Sequence, residues 1–308
     1  MILSASRRTD IPAYYSEWFF NRIKEGYALV RNPMNPQHVS KVAINPDVTD
    51  CIVFWTKNAR PMLSRLNEIN GFNYYFQFTI NPYGKDIEES VPRKNSVIET
   101  FNRLSDMTGS NRVVWRYDPI LITDSIDIDY HIRYFESIAK KIEGRTKRCM
   151  IGTLDNYIKV SNRLDAAGVR QPSPDETLSI AKHIAEIGRA YGIDMQMCTK
   201  PIDLSAFGIT RGSCIDRLLI EEVTGYNINV KKDKNQRPEC SCAESIDIGE
   251  YNTCIHNCIY CYANYAKERV LKKYKAHNPE SPLLFGELGS DDIVTERPVM
   301  ALRQKGLF

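Results

Sequence analysis

The stretch Cys51-Ile52-Val53-Phe54-Trp55-Thr56-Lys57-Asn58 sets the pattern for the chain. Cys51–Trp55 is a short apolar run of β-branched and aromatic residues, which reads as a buried strand. It stops abruptly at Thr56, Lys57 and Asn58. The same shape recurs on either side. Met1–Ala5 runs into Ser6-Arg7-Arg8-Thr9-Asp10, and Tyr74–Ile80 is rich in aromatics. Arg112–Tyr117 ends in Asp118-Pro119, Arg148–Thr153 ends in Leu154-Asp155, and Asp194–Cys198 follows. Helical text separates them: Tyr14–Glu25, Pro61–Asn70, Val97–Thr108 closed by Gly109, Ile128–Ile142, and Pro174–Tyr191 with Gly192 beyond it. Ala28–Val30 and Val42–Ile44 are two further short strands beside a Pro/Asn-rich loop.

This alternation implies an α/β fold, a parallel sheet with helical crossovers. Six or more such units predict a (β/α) barrel, complete or partial, of TIM-like form. The expected layout is a barrel core over residues 1–200 and a cysteine-rich part over 201–308 that closes it, the two making one structural unit. No fixed-period repeat or low-complexity tract interrupts the chain, and Asn229–Pro238 reads as a polar, exposed stretch. In such barrels the loops after the strands carry function. Here the strand ends hold Arg7, Arg8 and Asp10; Lys57; Gln77, Thr79 and Asn81; Arg116 and Asp118; Thr153 and Asp155. Any one of them is as well explained by a strand reaching solvent or by an ion pair. Their recurrence at one end of strand after strand points to a wet, charged pocket.

Composition narrows the class. At 308 residues the chain can bury a full-sized core. A formal net charge of +3 leaves no electrostatic footprint for bulk nucleic-acid binding. No apolar run reaches the roughly 18–20 residues of a membrane span, and the N-terminus lacks the order of a signal peptide, so a cytoplasmic, reducing setting is expected. There, clustered cysteines bind metal or do redox chemistry more often than they form disulfides. Of nine cysteines, Cys51 and Cys149 sit alone in apolar strands and read as buried small hydrophobes. The other seven fall between Cys198 and Cys261.

Three of the seven form Cys254-Ile-His-Asn-Cys258-Ile-Tyr-Cys261, a C-x3-C-x2-C spacing. Thiolates select iron–sulfur clusters and zinc. A [4Fe–4S] cluster takes four cysteines, so three in one loop leave one iron open. Ser245–Thr253 before the loop reads as a strand and Tyr262–Tyr274 after it as a helix, through Tyr262, Tyr265, Ala266, Val270 and Tyr274. This βα unit is expected to sit beside the N-terminal strand. Cys198, Cys214, Cys240 and Cys242 could converge on a second [4Fe–4S] cluster or a structural Zn²⁺. Their bland reading is two core residues and a free dithiol, and C-x-C is not a zinc-knuckle spacing.

The three-cysteine motif resembles the cluster-binding signature of the radical S-adenosylmethionine enzymes. Its flanks, Asp247-Ile-Gly-Glu-Tyr-Asn-Thr-Cys254 and Tyr260-Cys261-Tyr-Ala-Asn264, are similar to the bacterial family DUF1848, sometimes labelled photolyase-like. So are Ser6-Arg-Arg-Thr-Asp-Ile-Pro12, Phe54-Trp-Thr-Lys-Asn58, Trp115-Arg-Tyr-Asp-Pro119 and Cys214-Ile-Asp216, so the likeness spans nearly the whole chain. In most radical enzymes the motif follows the first barrel strand; here it comes near the C-terminus. The resemblance implies that Cys254, Cys258 and Cys261 hold a [4Fe–4S] cluster whose open iron chelates S-adenosylmethionine. It further implies that Tyr260 packs on the adenine, with plain packing as the alternative. Cationic Arg7, Arg8, Lys57 and Arg116 would suit the cofactor's carboxylate, with Asp118 a further cofactor or substrate contact. His256 is a ligand or proton carrier, or a solvated loop residue.

Three functions stay open on these grounds. The first is an enzyme that cleaves S-adenosylmethionine reductively, fed by a reductant such as flavodoxin or ferredoxin, and acts on a small-molecule substrate that the sequence does not name. The second is a structural zinc or electron-carrying protein, with His256 or Cys242 completing the ligand set. The third is a photolyase-like nucleic-acid repair enzyme, for which the charge gives no support.

Overall fold

The computed structural model describes residues 1–155, 157–198 and 202–304. In chain order its strands and α-helices are β1 (Ile2–Ala5), α1 (Ile11–Tyr14), α2 (Ser16–Glu25), β2 (Tyr27–Arg31), β3 (His38–Ala43), β4 (Cys51–Thr56), β5 (Tyr74–Thr79), α3 (Lys94–Thr108), β6 (Val113–Ile120), α4 (Ile128–Lys141), β7 (Arg148–Thr153), α5 (Ser161–Ala166), α6 (Pro174–Ala190), β8 (Asp194–Cys198), β9 (Thr210–Gly212), α7 (Arg217–Thr224), β10 (Ile246–Asp247), α8 (Lys267–Lys275) and β11 (Ile293–Glu296).

Eight strands form one sheet in the order β10-β1-β4-β5-β6-β7-β8-β9, parallel throughout. A small second sheet, β11-β3-β2, stands apart. The α/β class and the parallel sheet match the reading of the sequence, and β10 pairs with β1 as expected (Leu3 opposite Ile246). Among the described residues no hydrogen-bonded pair joins β9 to β10, so the sheet is parallel throughout and barrel-like without a hydrogen-bonded closure between those two strands.

Alternate residues of the strands serve two cores. Leu3, Phe54, Phe76, Trp115 and Ile151 face Phe19, Phe101, Phe135 and Ile184 of the crossover helices. On the other face Ile2, Val53, Tyr75, Val114 and Met150 pack against Ile215, Leu219, Ile220 and Val223, from α7 and the turn before it. A sheet covered on both sides explains why each central strand is a continuous apolar run. It also means that α7, rather than water, fills the middle of the second face.

Several boundaries move for local reasons. The segment read as a helix over Pro61–Asn70 is a 3-10 helix, Arg60–Ile69, and its buried Leu63, Leu66 and Ile69 recur every third residue. The strand read over Ser245–Thr253 shrinks to Ile246–Asp247. The helix read over Tyr262–Tyr274 begins only at Lys267, because Asn264 and the Tyr265 N–H are engaged in closing the cysteine loop. Cys51 and Cys149 are fully buried in strands.

Candidate metal centre

β10 delivers the chain to the carboxyl end of the sheet, and residues 248–266 form an irregular loop there. Asn252 and Asn257 take left-handed backbone angles (φ 56° and 52°), a conformation that asparagine tolerates better than most residues. Asn252 closes the loop: its N–H donates to the Ala263 carbonyl at 2.9 Å and its Oδ1 accepts from Tyr265 N at 3.0 Å. Asn264 Nδ2 donates to the Cys254 carbonyl, and Arg163 Nη2 donates to the Cys261 and Asn264 carbonyls at 3.2 and 2.8 Å. Inside this frame Cys258 is buried, and Cys254 and Cys261 are half-buried. The three thiols lie within electrostatic reach of one another. Burial raises all three; for Cys258 it does so against the pull of Lys57 and leaves the thiol at about 12. Without a metal they are thiols, and a bound cation would convert them to thiolates.

Over the loop stands a buried carboxylate. Glu88 is 1% exposed and pairs by backbone with Cys258. Its Oε1 accepts from Lys57 Nζ at 2.8 Å, Tyr260 OH at 2.5 Å and Asn81 Nδ2 at 3.2 Å, and its Oε2 accepts from Lys94 Nζ. Burial alone would raise the carboxyl, but Lys57 and Lys94 outweigh it and hold Glu88 down at about 2. The Tyr260 ring lies under the Lys57 ammonium, 5.6 Å from its centroid. Tyr260 is therefore fixed by its hydroxyl and by a cation–π contact.

His256 is 2% exposed, and both ring nitrogens are engaged. Nδ1 meets Tyr14 OH at 2.7 Å, and Nε2 meets Asp10 Oδ2 at 2.7 Å. Asp10 also caps α1 by accepting from Ala13 N and accepts from Lys57 N at 2.7 Å. The solvated-loop reading of His256 is thus corrected: it is a buried link between the cysteine loop and the end of β1.

The other four cysteines also come together. Cys198 Sγ and Cys214 Sγ are 3.4 Å apart, and the Cys242 thiol interacts with those of Cys214 and Cys240. Cys242 Sγ accepts from Ile215 N at 3.4 Å. Hydrogen bonding to Cys242 holds Cys240 down at about 7. Arg116, placed by β6, donates from Nη1 to Cys214 Sγ at 2.9 Å and pairs with Asp118. Arg7 lies 3.6 Å from Asp233 and shares the Trp55 ring with Arg116, the guanidinium carbons 5.5 and 5.1 Å from its centroid. The predicted cations are therefore divided: Lys57 lies at the three-cysteine loop, Arg7 and Arg116 at the four-cysteine group. Arg8 is turned aside, over Tyr251 and bonded to the Gly249 carbonyl. Asp118 lies between the two groups, within electrostatic reach of Lys57 and paired with Arg116. Among the described residues no group of three or more His, Cys, Asp or Glu side chains is placed, as it stands, to hold a metal ion. A cleft of about 310 Å³ at the opposite end, lined by Met1, Ile246 and Met300 among others, does not reach the cysteines.

A family model described as a domain of unknown function, DUF1848, matches residues 2–263. The chain belongs to the DUF1848 family. The match takes in β1 and runs two residues beyond Cys261, so both cysteine groups fall inside the family's extent. No curated protein matches the chain. Among solved structures it is similar to a proposed alpha-L-fucosidase from Bacteroides thetaiotaomicron, with 10% identity, 74% of this chain and 83% of that chain covered, and a TM-score of 0.26. A likeness of that size carries no argument about activity.

Within this DUF1848 chain, sequence reasoning missed Glu88, Lys94, Tyr14, Arg163 and Asp247 at the site. Asp247 binds the Ser4 and Ser6 hydroxyls and the Arg7 N–H, tying β10 to the end of β1. The approach is close: a Cβ on Gly249 would lie 2.0 Å from Ser6 Oγ, so only glycine fits there. Lys94 left a signal. It opens α3 with no acid in the first turn, the wrong charge for the positive end of a helix dipole, so a partner elsewhere was to be expected.

Proposed function

We propose that the Cys254–Cys258–Cys261 loop holds a [4Fe–4S] cluster with one iron left for S-adenosylmethionine, and that the protein is a radical S-adenosylmethionine enzyme. One observation carries this reading. The two fourth ligands that the sequence offered are held elsewhere: His256 has both ring nitrogens in hydrogen bonds, and Cys242 sits among the other thiols. A closed structural site would need a fourth protein ligand. Three thiols without a fourth protein ligand are the donor set that a cluster with an open corner takes.

When bound, such a cluster would supply one electron to break the C5′–S bond of S-adenosylmethionine, drawing it from a reductant such as flavodoxin or ferredoxin. The chain's own residues would bind and position. Lys57 is held by Glu88 beside Cys258 and would meet the cofactor's carboxylate. Tyr260, fixed by Glu88 and Asn81, would line the cofactor's side of the loop. Asp118 and Arg116 continue the polar line away from it and would contact a polar small-molecule substrate. Protein purified without oxygen should carry about four irons and four sulfides per chain and show broad charge-transfer absorbance. Cys258→Ala should lose both. A parent protein that binds zinc at this loop and no iron would overturn the proposal.

A further inference from the structure

We infer that Cys198, Cys214, Cys240 and Cys242 form a second, independent metal centre: a zinc ion held by four thiolates. Its four ligands are different residues from those of the proposed cluster, and it does not depend on that cluster.

The four come from three places in the chain. Cys198 ends β8, Cys214 lies two residues past β9, and Cys240 and Cys242 lie on the loop after α7. Their backbones are fixed without help from the thiols. The Cys214 carbonyl accepts from Tyr75 OH and Gln77 Nε2, each at 2.8 Å. The loop is pinned by Asp233 N to the Cys242 carbonyl and by Ala243 N to the Ile215 carbonyl, each at 2.9 Å. Cys240 and Cys242 are both buried, whereas Ser241 between them is exposed. C-x-C therefore presents two thiols to the same interior here without the geometry of a knuckle.

Distance chooses the metal. Four thiolates around zinc at about 2.3 Å stand about 3.8 Å from one another. Cys198 and Cys214 are 3.4 Å apart. That separation is within a few tenths of an ångström of the zinc value, a difference within the range of side-chain torsion. A cubane would need a much larger expansion of the same walls.

Charge points the same way. A zinc tetrathiolate carries two negative charges. Two guanidiniums face the group. Arg116 is 7% exposed and spends one of its N–H donors on the Cys214 sulfur at 2.9 Å. Arg7 has a buried Nη2 with no partner among the described residues. A neutral thiol is a poor acceptor for a desolvated cation, whereas a metal-bound thiolate is a strong one.

The test uses the full chain and its C254A/C258A/C261A variant, both made in zinc-supplemented medium, with metals counted by plasma mass spectrometry. About one zinc per chain is expected in both proteins, and its loss in C240S/C242S. If C240S/C242S fails to fold, Cys240→His serves instead, because three cysteines and a histidine still make a zinc site. That variant should keep the zinc, and its cobalt-substituted form should show a shifted tetrahedral thiolate spectrum. A triple variant that holds no zinc, or one that holds iron and sulfide at this group, overturns the inference. Zinc retained in a parent protein that takes up no iron would leave it standing while sinking the cluster proposal.

Discussion

Replacing Glu88 by Gln removes one charge from the centre of the candidate site and almost nothing else. The carboxylate accepts from Lys57, Lys94, Tyr260 and Asn81 while only 1% exposed. An amide of the same shape keeps the packing but leaves two buried ammonium groups without their anion. The carboxyl is held from 4.5 down to about 2, which corresponds to about 3 kcal/mol at roughly 1.4 kcal/mol per unit. That agrees with the roughly 3–5 kcal/mol lost when one partner of a buried pair is removed. The sign follows from linkage. A carboxyl with a depressed folded-state value stabilises the fold above its unfolded value of 4.5. That stability is lost as pH falls through about 2. In urea unfolding of the metal-free chain, E88Q should be about 3 kcal/mol less stable at pH 7. The gap should narrow by about 1 kcal/mol at pH 4. Equal stability at pH 7, or a gap that does not change between pH 7 and pH 4, would refute the ionised Glu88–Lys57–Lys94 cluster.

Other substitutions test the frame around the loop. Gly249→Ala places a Cβ 2.0 Å from Ser6 Oγ and 2.6 Å from Ser6 Cβ; it should cost about 1–3 kcal/mol in the same urea titration, and a neutral result would show that β1 and β10 are not so closely apposed. Arg163→Ala frees the Cys261 and Asn264 carbonyls. The cluster-loaded variant should then lose iron in air several-fold faster than the parent at similar thermal stability, and equal rates would mean that α5 does not brace the loop.

The parallel sheet was legible because burial on both faces leaves its mark in each strand separately. Asp194–Cys198 is found with the bounds read from the sequence, and Cys51–Thr56 differs by one residue. The place of α7 was not legible. Arg217–Thr224 is an ordinary amphipathic helix of about two turns, and nothing local says that Leu219 and Ile220 cover the second face of the sheet. The cysteine spacing announced a loop with three ligands but not its surroundings. Glu88 reaches Cys258 across 170 residues through a backbone bridge, a long-range pairing that no periodicity encodes. The division of the cations followed the same rule. Lys57 follows β4 and Arg116 lies within β6, but the lysine is drawn to Glu88 and the arginine to Cys214 and Asp118. No helix among the described residues is long and apolar enough to cross a membrane, in line with the apolar runs read from the sequence.

The central claim concerns an iron left free for a sulfonium cofactor, and one assay addresses it directly. The anaerobic protein, loaded with iron and sulfide, is reduced in the presence of S-adenosylmethionine, and 5′-deoxyadenosine is measured by chromatography. The account predicts release of 5′-deoxyadenosine by the parent and none by Cys258→Ala. An iron-loaded parent that yields no 5′-deoxyadenosine, or a variant that yields as much as the parent, contradicts it.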